Sequence, residues 1–127
     1  MDTQNHQFRW RWYSTLGGRR PARDFIDSLS AEDRLAVIKK MKGVAKIGLT
    51  STRHLQDEIY EVRVAGQFAN YRLLFASEGK RNHVFLLLVA FSKKTQRTPP
   101  QEIYLAQIRL KDWRKRGIKS KKNSQGE

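Results

Sequence analysis

No cysteine occurs among the 127 residues, so disulfides and thiolate-based zinc sites are excluded and a reducing compartment is compatible. Long apolar runs are missing too. The longest, Val84 to Phe91, is far too short to cross a bilayer as a helix. The opening residues Met1-Asp2-Thr3-Gln4-Asn5-His6 hold no apolar stretch of the kind a signal peptide needs. The expectation is a cytoplasmic protein without membrane contact. Histidines number only three, and His54 has no second ligand at metal spacing, so neither a metal site nor a cofactor is expected. Acidic residues are scarce: 12 Asp and Glu stand against 26 Lys and Arg, a net charge of +14. That imbalance calls for a polyanionic partner, whether nucleic acid, an anionic surface or a strongly acidic protein.

What is present is enough apolar residue, 39%, for one modest core. Residues 1–117 read as a single domain and residues 118–127 as a flexible basic tail. In residues 7–13, Phe8, Trp10 and Trp12 alternate with Arg9 and Arg11, a strand whose bulky face enters the core. A base-stacking platform of interleaved Arg and Trp is the sharper alternative. Pro21 opens a short helix carrying Ala22, Phe25, Ile26 and Leu29, and Ser30 with Asp33 caps a second in a relaxed capping box. That second helix shows Leu35, Ile38, Met41 and Ala45 on its apolar side and stops at Gly48. Residues 50–57 read as a connecting loop. Thr98 caps a last helix with Pro99 in its first position. Ile103, Ala106, Leu110 and Trp113 lie on one side of it, with Arg109, Lys111, Arg114 and Lys115 mainly on the other.

The stretch that organises the chain is residues 60–94. Tyr60, Val62 and Val64 alternate with Glu61 and Arg63, and Tyr71, Leu73 and Phe75 alternate with Arg72 and Leu74. Setting apolar against apolar pairs Val62 with Leu73 and Tyr60 with Phe75, which puts Arg63 directly opposite Arg72. Like charges opposed across a strand pair destabilise a sheet, and an anion between them removes the repulsion. Two sources of relief stay open: a phosphate, which the planar donor fork of Arg suits, or a solvated face with Glu61 neutralising one arginine. Residues 83–91 are apolar on both faces and read as a covered central strand, ending at Ser92-Lys93-Lys94.

These residues resemble a known family. Ile59-Tyr60-Glu61-Val62-Arg63, Tyr71-Arg72-Leu73-Leu74, Phe91-Ser92-Lys93-Lys94-Thr95-Gln96, the prolines and Glu102-Ile103-Tyr104-Leu105-Ala106 are similar to the RelE/ParE superfamily of toxins, in its phage-derived HigB-type branch. The resemblance spans residues 8–116. It implies an α/β (α+β) RelE-like fold: a curved, mostly antiparallel sheet with an N-terminal strand, a helical hairpin and a C-terminal helix. It further implies the toxin of a type II toxin–antitoxin system, an mRNA-cleaving endoribonuclease that works without a metal, often on the ribosome. A cognate helix-turn-helix antitoxin is implied as its partner.

Cleavage of RNA through its own 2′-hydroxyl needs a proton acceptor, cations for the charged intermediate and a proton donor for the 5′-oxygen. No histidine pair offers these. Arg63 and Arg72 suit phosphate binding and transition-state stabilisation, since arginine keeps its proton. Lys93 and Lys94 suit the acid or base role, because lysine exchanges its proton when other cations crowd it. Tyr104 suits stacking or proton donation, and Arg97 and Lys111 complete the RNA-binding set. Two alternatives remain: a ParE-like DNA gyrase inhibitor on the same fold, and a noncatalytic nucleic-acid-binding module.

Overall fold

The computed structural model describes the backbone of residues 8–125 and the side chains of residues 8–117. Five strands, β1 (Arg9–Trp12), β2 (Arg53–Gln56), β3 (Ile59–Ala65), β4 (Asn70–Glu78) and β5 (Val84–Ser92), form one open sheet in the order β1-β5-β4-β3-β2. Only the β1–β5 pair is parallel. Helices α1 (Pro21–Asp27) and α2 (Ala31–Ile47) cover one face, and α3 (Pro100–Gln125) covers the other. The mixed fold with a mostly antiparallel sheet, helical hairpin and terminal helix is the one expected.

Register follows burial. Val62 pairs with Leu73, Tyr60 with Phe75 and Arg63 with Arg72, so the apolar side chains share the face beneath α1 and α2. Strand β5 lies between β1 and β4, and its residues alternate between the two cores: Phe85 and Leu87 under the hairpin, Leu86 and Leu88 under α3. A bulge beside Leu74 and Phe75 interrupts the β4–β5 register. Trp10 packs edge-on against Phe75 and Phe85 and donates its indole N–H to the Met41 carbonyl at 2.7 Å. This tryptophan is a core residue rather than a stacking platform, because a partly buried indole N–H needs a fixed acceptor.

Four local expectations are corrected. Residues 53–56 are an edge strand, not a loop; a four-residue strand with one half-buried side chain has no alternation to betray it. The buried side of α2 is Val37, Met41 and Val44, while Leu35 is exposed, so the inward stripe lies at a different angle from the one expected. Helix α3 begins at Pro100, and the Thr98 hydroxyl turns into the protein instead of capping it. Arg109 and Arg114 reach back to the sheet, to the Leu88 carbonyl at 2.7 Å and to Glu58 and Glu78. The backbone of α3 is helical to Gln125, and the side chains of the expected tail lie outside the described residues.

The helical hairpin is tied to the β3–β4 turn by Asp33. Ser30 caps α2 by accepting the Asp33 amide at 3.2 Å. The Asp33 carboxylate does not reach back to close a capping box. It accepts the amides of Gln67 at 2.5 Å and Phe68 at 3.1 Å, and the Tyr71 hydroxyl at 2.5 Å. Gly66 is required here because a Cβ would come within 2.6 Å of the Ala69 carbonyl and 2.8 Å of the Asp33 carboxylate.

Burial pushes the Asp33 carboxyl upward, but bonds from Tyr71 and from the amides of residues 67–69 outweigh it and hold it below the usual carboxylate range. Burial, then the bond to Asp33, pushes the Tyr71 phenol up to about 12. Because the folded Asp33 is the stronger acid, its contribution is complete above the unfolded carboxyl value of 3.8 and is lost as pH falls through the folded value. The folded Tyr71 is the weaker acid, so stability falls as pH rises from 10.0 toward about 12. Thermal melts should be flat between these limits and drop on both sides. Asp33→Ala should blunt both slopes, and it and Gly66→Ala should each lower Tm by roughly 5 °C or more.

Candidate RNA-binding site

Three strands contribute one row. Arg63 on β3, Arg72 on β4 and Phe91 on β5 are register partners on the face that α3 covers, and Lys93 follows Phe91 as β5 ends. Strand spacing and rise put the Cα atoms of Arg63 and Lys93 about 12 Å apart. The predicted opposition of the two arginines is therefore real, and the anion between them is Glu61. Its Oε1 accepts Arg63 Nε at 3.0 Å and its Oε2 accepts an Arg72 terminal nitrogen at 3.1 Å. The Glu61 and Arg72 side chains are both 0% exposed, so this is a buried ion pair and not a solvated face.

Burial divides the two arginines by task. Besides Glu61, Arg72 donates to the Thr98 hydroxyl at 2.5 Å and to the carbonyls of Thr95 and Gln96, and Thr98 donates in turn to Glu61. Its guanidinium thus fastens the segment 95–98 to the sheet and offers no surface to a ligand. Arg63 is 42% exposed and uses only Nε toward Glu61, so both terminal nitrogens lack a protein partner among the described residues.

The lysines immediately precede the fastened segment. The Lys93 amide donates to the Asn70 carbonyl at 2.8 Å, which pins the lysine backbone to the β3–β4 hairpin. Lys93 is half-buried with Nζ 3.4 Å from the Gln96 side-chain oxygen, and Lys94 and Arg97 are exposed. Residues 24–111, more than half of the chain and the whole of this site, match the model of the family described as phage-derived protein Gp49-like. The chain belongs to the Gp49-like family. That is a RelE/toxin-like family of phage origin. No curated protein matches the chain.

Within this Gp49-like domain the remaining candidates are spread more widely. Tyr104 is 66% exposed on α3. Lys111, two turns further on, lines a recess of about 380 Å³ with Asp57, Glu58 and Arg114, at the opposite end of β3 from Arg63. Two cations that sequence reading passed over sit beside Arg63 instead. Lys40 and Arg53 line a recess of about 350 Å³ with Arg63, Glu61 and the hydroxyl residues 50–52. Arg53 is the cross-strand partner of Glu61, and that opposite-charge pair was the available signal. Against three exposed cations the recess holds one carboxylate, already paired, so its field favours an anion. Among the described residues no group of three His, Asp or Glu is placed to hold a metal ion, and no helix is long and apolar enough to cross a membrane.

The buried pair makes a sharp stability prediction. Glu61→Ala strands the Arg72 charge and should cost about 3–5 kcal/mol. Replacing both partners, Glu61→Leu with Arg72→Met, should cost clearly less than Glu61→Ala alone. Urea denaturation of the two variants and the unaltered chain checks it.

Proposed function

We propose that this Gp49-like chain is the toxin of a type II toxin–antitoxin system, a HigB-type endoribonuclease that cleaves mRNA during translation without a metal. The observation that carries the reading is the cationic set of exposed Arg63, Lys94 and Arg97 with half-buried Lys93, on a framework made rigid by the buried Arg72–Glu61–Thr98 network. Membership in a toxin-like family and the charge of +14 support it.

The terminal nitrogens of Arg63 bind the scissile phosphate and stabilise the charge that builds on it. The ribose 2′-oxygen bonds to phosphorus as the bond to the 5′-oxygen breaks, leaving a 2′,3′-cyclic phosphate and a 5′-hydroxyl. Lys93 and Lys94 divide the two proton transfers, one taking the 2′ proton and the other supplying the 5′-oxygen. Arg72 acts as a positioning residue, holding the lysine segment at its distance from Arg63. Arg97, Tyr104 and Lys111 contact the rest of the message. A helix-turn-helix antitoxin neutralises the toxin, and the ribosome presents the message.

Induced expression should arrest growth, and mapping of 5′ ends should show new cuts within translated messages. Arg63→Gln and Lys94→Gln should each lower the cleavage rate by about 10²–10³-fold. Both should leave the thermal midpoint and capture by the product of a neighbouring helix-turn-helix gene nearly unchanged. Arrest with intact transcripts and broken DNA would transfer the reading to gyrase poisoning. Binding whose salt slope falls in Arg63→Gln, with no cuts in any variant, would leave only a nucleic-acid-binding module.

A further inference from the structure

Phe68 stands at the tip of the β3–β4 hairpin and is 66% exposed. Other large apolar side chains, Leu16 and Leu35 among them, are exposed as well, and exposure alone is ordinary; what sets Phe68 apart is how its backbone is held. Its backbone is tied to a buried side chain on the helical hairpin. The Phe68 amide donates to both Asp33 carboxylate oxygens, at 3.1 and 3.3 Å, and the neighbouring Gln67 amide donates to the same carboxylate at 2.5 Å. The Gly66 amide donates to the Ala69 carbonyl at 2.9 Å, closing the turn. A fully buried carboxylate on α2 is thus committed to fixing the tip that displays Phe68.

The tip also adjoins the cationic segment. Asn70, two residues beyond Phe68, accepts the Lys93 amide at 2.8 Å. Backbone dimensions then keep the Cα atoms of Phe68 and Lys93 within about 13 Å. A phosphate on the lysine segment and its attached base on the phenyl ring can be reached together.

We propose that Phe68 is a nucleobase-stacking platform, held by Asp33, on which a single-stranded RNA lays one base beside the phosphate bound at the lysines. The inference rests on the RNA-cleaving reading and adds to it a base-contacting residue outside the cationic set. An aromatic face accepts every base, so Phe68 supplies affinity and register without strong sequence preference, while the cations supply the salt-dependent part. A rigid tip suits this task because little conformational freedom is lost when the base docks.

The test uses the full chain and a single-stranded RNA oligonucleotide, 2′-O-methylated throughout so that it cannot be cut. Phe68→Ala should weaken binding by about 5- to 150-fold without changing the slope of log K against log salt. Phe68→Leu, which keeps an apolar side chain but no ring, should behave like Phe68→Ala. Phe68→Trp should retain affinity and show fluorescence quenched by RNA beyond that of the unaltered chain. On an abasic strand of equal length, all four proteins should bind alike. If Phe68→Ala holds the oligonucleotide as tightly as the unaltered protein while Lys94→Gln still lowers cleavage by about 10²–10³-fold, stacking is wrong and the nuclease reading stands. Stacking is equally overturned if Phe68→Ala loses only capture by the antitoxin, which would make the ring a protein contact. If the unaltered chain neither binds nor cuts RNA, both readings fall together.

Discussion

A single carboxylate, Glu61, sits where the sheet would otherwise hold two opposed guanidinium groups with nothing between them. Removing the Glu61 and Arg72 charges from water is costly, and the cost is tolerable because they are bonded to each other and the Arg72 terminal nitrogens find further acceptors. The requirement reaches outward from the sheet. Arg72 satisfies its terminal nitrogens on Thr98 and on carbonyls of the segment that follows β5, so the path from the last strand to α3 is dictated by a buried charge. The lysines ride on that path. A surface that attracts anions is in this way built on an interior that has already neutralised its own.

Asp33 plays the matching part on the other side of the sheet. Both carboxylates are buried, both bind groups distant in sequence, and both anchor a connection instead of a regular element. Asp33 holds the turn between β3 and β4, and Glu61 holds the segment between β5 and α3. The two connections meet where the Lys93 amide bonds the Asn70 carbonyl. Loops normally carry the greatest mobility in a small domain. Here two buried anions tether both loops to the scaffold, which is the condition for charged and aromatic side chains to act at fixed spacing.

Much of the architecture was legible because period-two and helical patterns extend over many residues. The β3–β4 register followed from the apolar alternation alone, and the two-faced apolar character of β5 correctly placed it inside the sheet. The features that escaped were short or depended on side chains far apart in sequence. Strand β2 has four residues and little burial, so its edge position exists only through pairing with β3. Thr98 and Asp33 both carry strong local capping signals, yet the first does not cap and the second only donates its amide to the Ser30 cap. In each case a buried partner competed with the nearby backbone and won.

The amino-acid order by itself determined the β3–β4 register, the helical hairpin, the charge excess and the facing of Arg63 to Arg72, since each follows from local periodicity and from counting. Tertiary structure alone decided which of those arginines meets solvent. Exposure depends on what packs over a side chain, and the segment that buries Arg72 lies more than twenty residues away, drawn in by the hydrogen bonds that a desolvated guanidinium demands.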